Sequence, residues 1–119
     1  MTALDAVGDF GLPAKAVSGI KTVMSHYPDI HRAIVYGSRA KGNYRPGSDI
    51  DLTLDAPTLA FAQFLRIDQE LDDLMLPYRI DLSLLSHINN PDLTDHITRV
   101  GKVLWKNPDH VSQTHHSLP

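Results

Sequence analysis

The sequence of 119 residues contains no cysteine. This absence excludes a disulfide framework and any metal site built on thiolates. Basic residues are also scarce, because 11 Lys and Arg stand against 14 Asp and Glu, for a formal net charge of -3. Proteins that bind nucleic acids or anionic membranes by general charge attraction need a basic surface. We therefore expect no direct contact with nucleic acid or membrane, and any phosphate recognition must be local.

Long apolar runs are missing as well. No segment approaches the roughly 18 consecutive apolar residues of a membrane-spanning helix, and the first residues lack the basic and apolar regions of a secretory signal. We expect a cytoplasmic protein. A hydrophobic content of 42% suffices for one core without cross-links. The predicted organisation is one domain over residues 1–105, followed by a polar C-terminal tail, 106–119, that we expect to be flexible.

The sequence does contain alternating helical and strand patterns. Apolar residues at helical spacing predict helices over 13–27, 58–76 and 91–100, the second beginning at Thr58 as N-cap and the third closed by Gly101. The residues predicted to face inward on the second helix are Leu59, Ala62, Leu65, Leu71, Leu74 and Met75. Strands are predicted over 33–36, 49–54, 78–84 and 102–105, with a loop over 37–48. These elements predict an α/β fold with a mixed sheet flanked by helices.

Three aspartates lie on the predicted strands. Asp49 and Asp51 share one face of their strand, about 7 Å apart from the rise per residue, and Asp81 lies on the polar face of the next strand. Carboxylate oxygens are ligands that Mg²⁺ prefers, and like charges this close repel one another unless a cation lies between them. The pattern favours a site for one Mg²⁺ or for a pair of divalent ions.

A Gly37-Ser38 pair lies at the end of the first predicted strand. Glycine lets the backbone approach a ligand, consecutive N–H groups can point at phosphate oxygens, and Ser38 adds a hydroxyl donor. Gly42 permits the turn that returns the loop. Further candidates for phosphate or nucleotide contact are Arg39, Lys41, Arg45 and Ser48. For the three cations a solvated surface role stays open, and for Ser48 a bond within the loop.

The Gly37-Ser38 pair, ten intervening residues and Asp49-Ile50-Asp51 resemble the signature of the DNA polymerase β-like nucleotidyltransferases, most closely the minimal nucleotidyltransferases. The likeness continues into Arg79-Ile80-Asp81-Leu82 and the segment 97–105. It implies the polymerase β-like fold, in which Asp49, Asp51 and Asp81 are catalytic and hold two Mg²⁺ ions, or Mn²⁺. Gly37 and Ser38 would then grip the β and γ phosphates of ATP, and Asp81 would orient or deprotonate the acceptor hydroxyl.

The resemblance also implies a reaction, the transfer of AMP from ATP to a hydroxyl group. Relatives with small-molecule or tRNA acceptors carry an additional helical domain, for which this chain has no room. We therefore expect the acceptor to be a tyrosine of a partner ribonuclease toxin of the HEPN class, which the chain would bind in a hetero-oligomer as its antitoxin. Two alternatives stay open: a nucleotide-binding module that neutralises a partner by complex formation alone, and nucleotidyl transfer to a small molecule such as an aminoglycoside.

The remaining polar and aromatic residues are assigned structural roles. We prefer core packing over base stacking for Tyr36 and Trp105, and packing within the monomer over a partner interface for Phe61 and Phe64. An ion pair with Arg79 is the alternative role for Asp81. The histidines show no ligand spacing, so surface or capping roles are expected rather than zinc binding. They are His26, His31, His87, His96, His110, His115 and His116.

Overall fold

The strands form one mixed sheet, as predicted. The computed structural model describes residues 9–110, and its main elements are α1 (Ala14–Ser25), β1 (Arg32–Tyr36), α2 (Gly37–Lys41), β2 (Ile50–Asp55), α3 (Phe61–Asp72), β3 (Ile80–Leu84), α4 (Pro91–Val100) and β4 (Lys102–Lys106). The strand order is β3-β2-β1-β4. β1 is antiparallel to β2 and β4, whereas β2 and β3 are parallel because α3 connects them as a crossover.

One face of the sheet packs against α1 and α3. Ala33 and Val35 of β1 point to this face, opposite their β2 partners Leu54 and Leu52, and all four side chains are fully buried. The helices contribute the other half of this core, with Ala16, Val17, Ile20, Val23, Met24, Ile67 and Leu71. Burial of these apolar side chains is the main term that stabilises the fold.

On the other face of the sheet lies α4, which contacts β1 and α2. Ile34, Thr53 and Ile97 are buried there, outside the main core. Because side chains alternate along a strand, Tyr36 and Asp51 point to the same face as Ile34 and Thr53. This half-covered face is where the predicted site residues of the sheet lie.

Helix α3 differs from its prediction at both its start and its inward face. The helix was predicted to begin after Thr58, but a turn closed by Leu59 N–H to Ala56 C=O places Ala60 at the N-cap. The inward residues are Ile67 and Leu71, with Phe64 and Leu74 partly buried beside them. Three residues predicted to face inward are exposed instead, namely Ala62, Leu65 and Met75.

Two further boundaries differ. The segment 37–48 was predicted as a loop, but its first five residues form α2, which Gly42 ends with a left-handed φ of 89°. At the other end, the last strand was predicted to end at residue 105, but β4 ends at Lys106. Asn107 is buried and its side-chain amide donates to the carbonyls of Pro28 and Ile30, so Asn107 attaches the chain after β4 to the domain. The rest of the predicted tail, with His115 and His116, lies outside the described residues.

The membrane prediction can be compared with the helices directly. Within residues 9–110, no helix has the length and apolar character needed to cross a bilayer.

Candidate active site

Three side chains form a row across the sheet where β1 ends and where β2 and β3 begin. Tyr36 is the antiparallel partner of Asp51, and Asp51 is the parallel partner of Asp81. Paired residues on adjacent strands share a face and lie roughly 5 Å apart. The sheet therefore brings Asp51 and Asp81 together, as the strand alternation predicted, and adds Tyr36 beside them.

Gly37 follows Tyr36 and places its backbone against Asp51. Its φ of 72° is left-handed, which glycine adopts without strain. A Cβ at this position would overlap Oδ2 of Asp51. Only glycine permits this approach between the backbone and the carboxylate, and so the first residue of the predicted phosphate grip adjoins the predicted metal ligands.

Several carboxylates lie close together in and beside this row, so their negative charges repel one another. Burial raises the pKa of the Asp51 carboxyl, and the charges of Asp81 and Asp49 raise it further. Burial likewise raises the pKa of Tyr36, a hydrogen bond with Ser83 opposes that change, and Asp51 and Asp81 add to it. The raised pKa of Asp51 means that its charged form is unfavourable here, and a bound cation would offset this effect.

The three predicted metal ligands are not equally well assembled. Asp49 lies one residue before β2 and is exposed, as is Asp81, whereas Asp51 is partly buried. No three His, Asp or Glu side chains of residues 9–110 are grouped closely enough to hold a metal ion as they stand. The donor chemistry nevertheless fits a hard divalent cation. The paired carboxylates of Asp51 and Asp81 repel one another, and Asp49 is near enough to raise the pKa of Asp51. The metal roles stay predictions.

The loop from Gly37 to Ser48 is ordered by its own side chains. Arg39 is 2% exposed, and its guanidinium donates to the carbonyls of Phe10, Pro46 and Ser48. The Ser48 hydroxyl accepts the Arg45 N–H at 2.8 Å. These contacts show Arg39 and Ser48 holding the loop; their predicted nucleotide contacts stay predictions.

The remaining members of the predicted phosphate site lie around α2. Ser38 is the second residue of α2 and is partly exposed, and its carbonyl accepts the Gly42 N–H at 2.9 Å. The left-handed Gly42 makes the return turn that was predicted for it. Lys41 and Arg45 are exposed, so both are placed as surface cations beside this loop.

His96 is the site residue that the sequence analysis missed. Its Nε2 accepts a hydrogen bond from the Gly37 N–H at 3.1 Å, and its ring meets the Tyr36 ring edge-on at 6.2 Å between centroids. The capping role expected for His96 fits this contact, because Gly37 is the first residue of α2, but the place of His96 beside the predicted phosphate site was not predicted. A signal was present, because His96 falls three residues after Leu93 and one before Ile97, within the inward stripe of α4.

A cleft of about 410 Å³ opens beside Asp81. It lies between the edge strand β3 and helix α3, and the charged side chains that line it are Asp68 and Asp72 of α3, Asp81 of β3, and Arg79 just before β3. Arg79 forms no ion pair within the described part of the chain, so Asp81 is not held by it.

The family model of polymerase beta nucleotidyltransferases matches residues 18–110. A search of curated proteins gives no match.

Several solved structures have a similar fold. A chain of a toxin–antitoxin structure with AMP-PNP has 22% identity and a TM-score of 0.61, with 84% of this chain and 87% of that chain covered. A chain of the tri-AMPylated HEPN toxin in complex with its MNT antitoxin, from Shewanella oneidensis, has 20% identity, a TM-score of 0.56 and 85% of both chains covered. A chain of the MntA-HepT toxin–antitoxin structure has 21% identity and a TM-score of 0.54, with 86% of both chains covered.

The structural likenesses, at 20 to 22% identity, show the fold, while the family model covers most of the described residues, including Gly37, Asp51, Asp81 and His96. The chain belongs to the polymerase beta family of nucleotidyltransferases.

Proposed function

We propose that the chain transfers AMP from ATP to a tyrosine hydroxyl of a HEPN-class ribonuclease toxin and thereby acts as its antitoxin. The observation that carries the proposal is the Asp51–Asp81 pair set against the backbone of Gly37, in a chain of the nucleotidyltransferase family. Structures with a similar fold support the choice of nucleotide and acceptor, because they include a complex with AMP-PNP and a tri-AMPylated HEPN toxin.

The backbone around Gly37 would position the nucleotide. The Gly37 N–H and the Ser38 hydroxyl would donate hydrogen bonds to the β and γ phosphates, and charge-assisted bonds of this kind are stronger than neutral ones. Arg39 and Ser48 support this contact indirectly, since they hold the following loop in one conformation. The α-phosphorus would then lie toward the carboxylates.

Asp81 would receive the proton of the acceptor hydroxyl. As that proton leaves, the hydroxyl oxygen forms a bond to the α-phosphorus, and the bond from the α-phosphorus to the pyrophosphate oxygen breaks, so that pyrophosphate departs. The exposure of Asp81 suits this role, because an acceptor on another protein has to reach it.

Asp49, Asp51 and Asp81 would hold the divalent cations, two Mg²⁺ ions or Mn²⁺. Such ions supply neutralisation of the negative charge that develops on the phosphates and on the departing pyrophosphate. The residues themselves fix where this charge is neutralised. We also propose that the protein works in the cytoplasm, in a hetero-oligomer with its HEPN partner.

Co-expression with the product of the neighbouring gene, as the proposed HEPN partner, tests the proposal. With the native chain, we expect the intact mass of the partner to increase by one or more AMP units. Asp49→Asn and Asp51→Asn should each abolish this addition, because either change removes a carboxylate from the site. Asp29→Asn is the matched control, since Asp29 is exposed and lies before β1, at the end of that strand opposite Tyr36.

The same experiment separates the competing functions. A partner that is neutralised by both aspartate variants without any added mass would contradict the transfer and favour neutralisation by complex formation. AMP transfer by the isolated chain to small hydroxyl compounds, with none to the partner, would contradict the choice of acceptor.

A further inference from the structure

The contact between His96 and Gly37 joins α4 to the glycine of the predicted phosphate site. A neutral imidazole accepts a hydrogen bond at one ring nitrogen and carries its proton on the other. Because Nε2 of His96 accepts the Gly37 N–H at 3.1 Å, the proton of the free protein's imidazole lies on Nδ1. The tautomer of His96 is thus defined by the same N–H that would meet a phosphate oxygen.

The surrounding packing fixes the position of His96. Helix α4 is capped by Asn90, whose side chain accepts from the Asp92 and Leu93 N–H groups, and Ile97, next to His96, is 6% exposed. The Tyr36 ring limits the imidazole on one side, with an angle of 77° between the ring planes. The imidazole is therefore presented to the Gly37 amide by a fixed helix.

A phosphate oxygen at Gly37 would take the N–H that His96 accepts in the free protein. Nε2 would then lose its donor, yet it would lie beside an oxygen that carries negative charge. The other tautomer, with the proton on Nε2, can donate to that oxygen. The exchange requires Nδ1 to release one proton to water and Nε2 to gain one, so the charge of the ring does not change.

We propose that His96 is a nucleotide-contacting residue that accepts the Gly37 N–H in the free protein and donates Nε2–H to a phosphate oxygen of the bound nucleotide. This inference rests on the proposed function, because it places nucleotide phosphate at Gly37. It adds a third donor to the grip of Gly37 and Ser38, supplied by a helix distant in sequence. His96 also brings no negative charge to a site that already has an excess of it.

Binding of AMP-PNP with Mg²⁺, measured by calorimetry, tests the role of His96. We expect His96→Ala to weaken binding about tenfold, the usual effect of losing one hydrogen bond to a charged group. His96→Gln should restore most of the affinity, because an amide can also donate at a similar distance. His87→Ala is the control, since His87 is exposed and follows the end of β3 that lies away from the site.

The tautomer provides a readout that a purely structural role would not change. In the native protein labelled with ¹⁵N-histidine, we expect AMP-PNP to move the His96 proton from Nδ1 to Nε2. A bound complex with the proton still on Nδ1, or a folded His96→Ala variant that binds AMP-PNP as tightly as the native chain or more tightly, would overturn the inference alone. A native chain that binds no AMP-PNP would overturn the proposed function and this inference with it.

Discussion

Arg39 is a buried cation, and no carboxylate of residues 9–110 forms an ion pair with it. Its guanidinium donates to the carbonyls of Phe10, Pro46 and Ser48, and it lies 5.1 Å from the Tyr44 ring centroid and 4.9 Å from that of Tyr78. Carbonyl oxygens and aromatic faces together replace the water that the cation loses. One side chain thus joins the start of the described chain, the loop after α2 and the approach to β3.

Arg39→Lys should destabilise the protein by about 2 kcal/mol, although it keeps the charge. A lysine ammonium lacks the planar, forked donors that reach several carbonyls at once, and stacks less well on aromatic rings. Carbonyls left unpaired in a buried place add to the loss. Urea unfolding measures the change, and Arg45→Lys at an exposed position serves as the control. Equal stability of both variants would show that the guanidinium contacts contribute little.

At the residue scale, the sequence predicted those site residues whose positions follow from local patterns along the chain. Alternation along the strands placed Asp51 and Asp81 on one face, and the pairing of β2 with β3 confirms that placement. His96 could not be placed with them because its role depends on how α4 packs against β1, which is a contact between distant segments. Core packing was preferred for Tyr36, but Tyr36 ends β1 beside Asp51, where the site begins.

At the element scale, the strands were predicted better than the phase of α3, that is, which side of this helix faces the core. Period-two alternation gives one solution per strand, whereas the α3 segment is apolar on several sides. Phe61 and Leu65 are 60% and 52% exposed, while Ile67 is fully buried. The phase follows from the turn at 56–59, which sets the first helical residue, and from contact with α1. Neither is visible in the hydrophobic pattern of α3 alone.

The junction between α4 and β4 depends on a glycine for reasons of space. Gly101 was predicted as a helix C-cap, and it occupies that position, but its φ of -63° is one that any residue can adopt. A Cβ there would overlap the Ile97 carbonyl oxygen and lie 2.9 Å from Cγ2 of Ile34. Glycine is needed because the chain passes so close to β1 at this junction.

Gly101→Ala should therefore destabilise the protein by about 1 to 3 kcal/mol, the range typical of overpacking. The clash involves backbone and a buried side chain, which have little room to move. Thermal unfolding followed by circular dichroism measures the change. Because α4 carries His96, we also expect weaker nucleotide binding.

Gly47→Ala provides the matched control for this junction. A Cβ at Gly47 meets no atom within 4 Å, and its φ is not left-handed. Alanine there should leave stability unchanged or raise it slightly by restricting the unfolded chain. A Gly101→Ala variant as stable as Gly47→Ala would show that the junction can shift to accept a side chain.

At the scale of the whole molecule, folding gathers repelling carboxylates at one end of the sheet. Burial and the charges of Asp81 and Asp49 raise the pKa of Asp51, so the metal-free fold is less stable at neutral pH than it would be without the Asp51 charge. Sites built for function often lower stability in this way.

We predict that Asp51→Asn raises the melting temperature of the metal-free protein by a few degrees at pH 7, while it abolishes AMP transfer. The amide keeps the shape of the side chain and removes both the buried charge and the repulsion. With saturating AMP-PNP and Mg²⁺, the native chain should have the higher melting temperature, because ligand binding stabilises it. The variant should bind the ligand weakly and gain little stability. Scanning calorimetry with and without EDTA compares the two, and Asp29→Asn should match the native chain throughout.

The stability difference between the native chain and Asp51→Asn should depend on pH. A carboxyl with a raised pKa in the folded state stabilises the fold fully below its unfolded value, near 3.8, and this contribution is lost as pH rises through the higher folded pKa. The metal-free native chain should therefore lose stability relative to Asp51→Asn over that range, and the two melting temperatures should converge as pH falls toward 4. A difference that is constant with pH would mean that the gain comes from packing or hydrogen bonding of the amide, and that the carboxylates at the end of the sheet do not strain the fold.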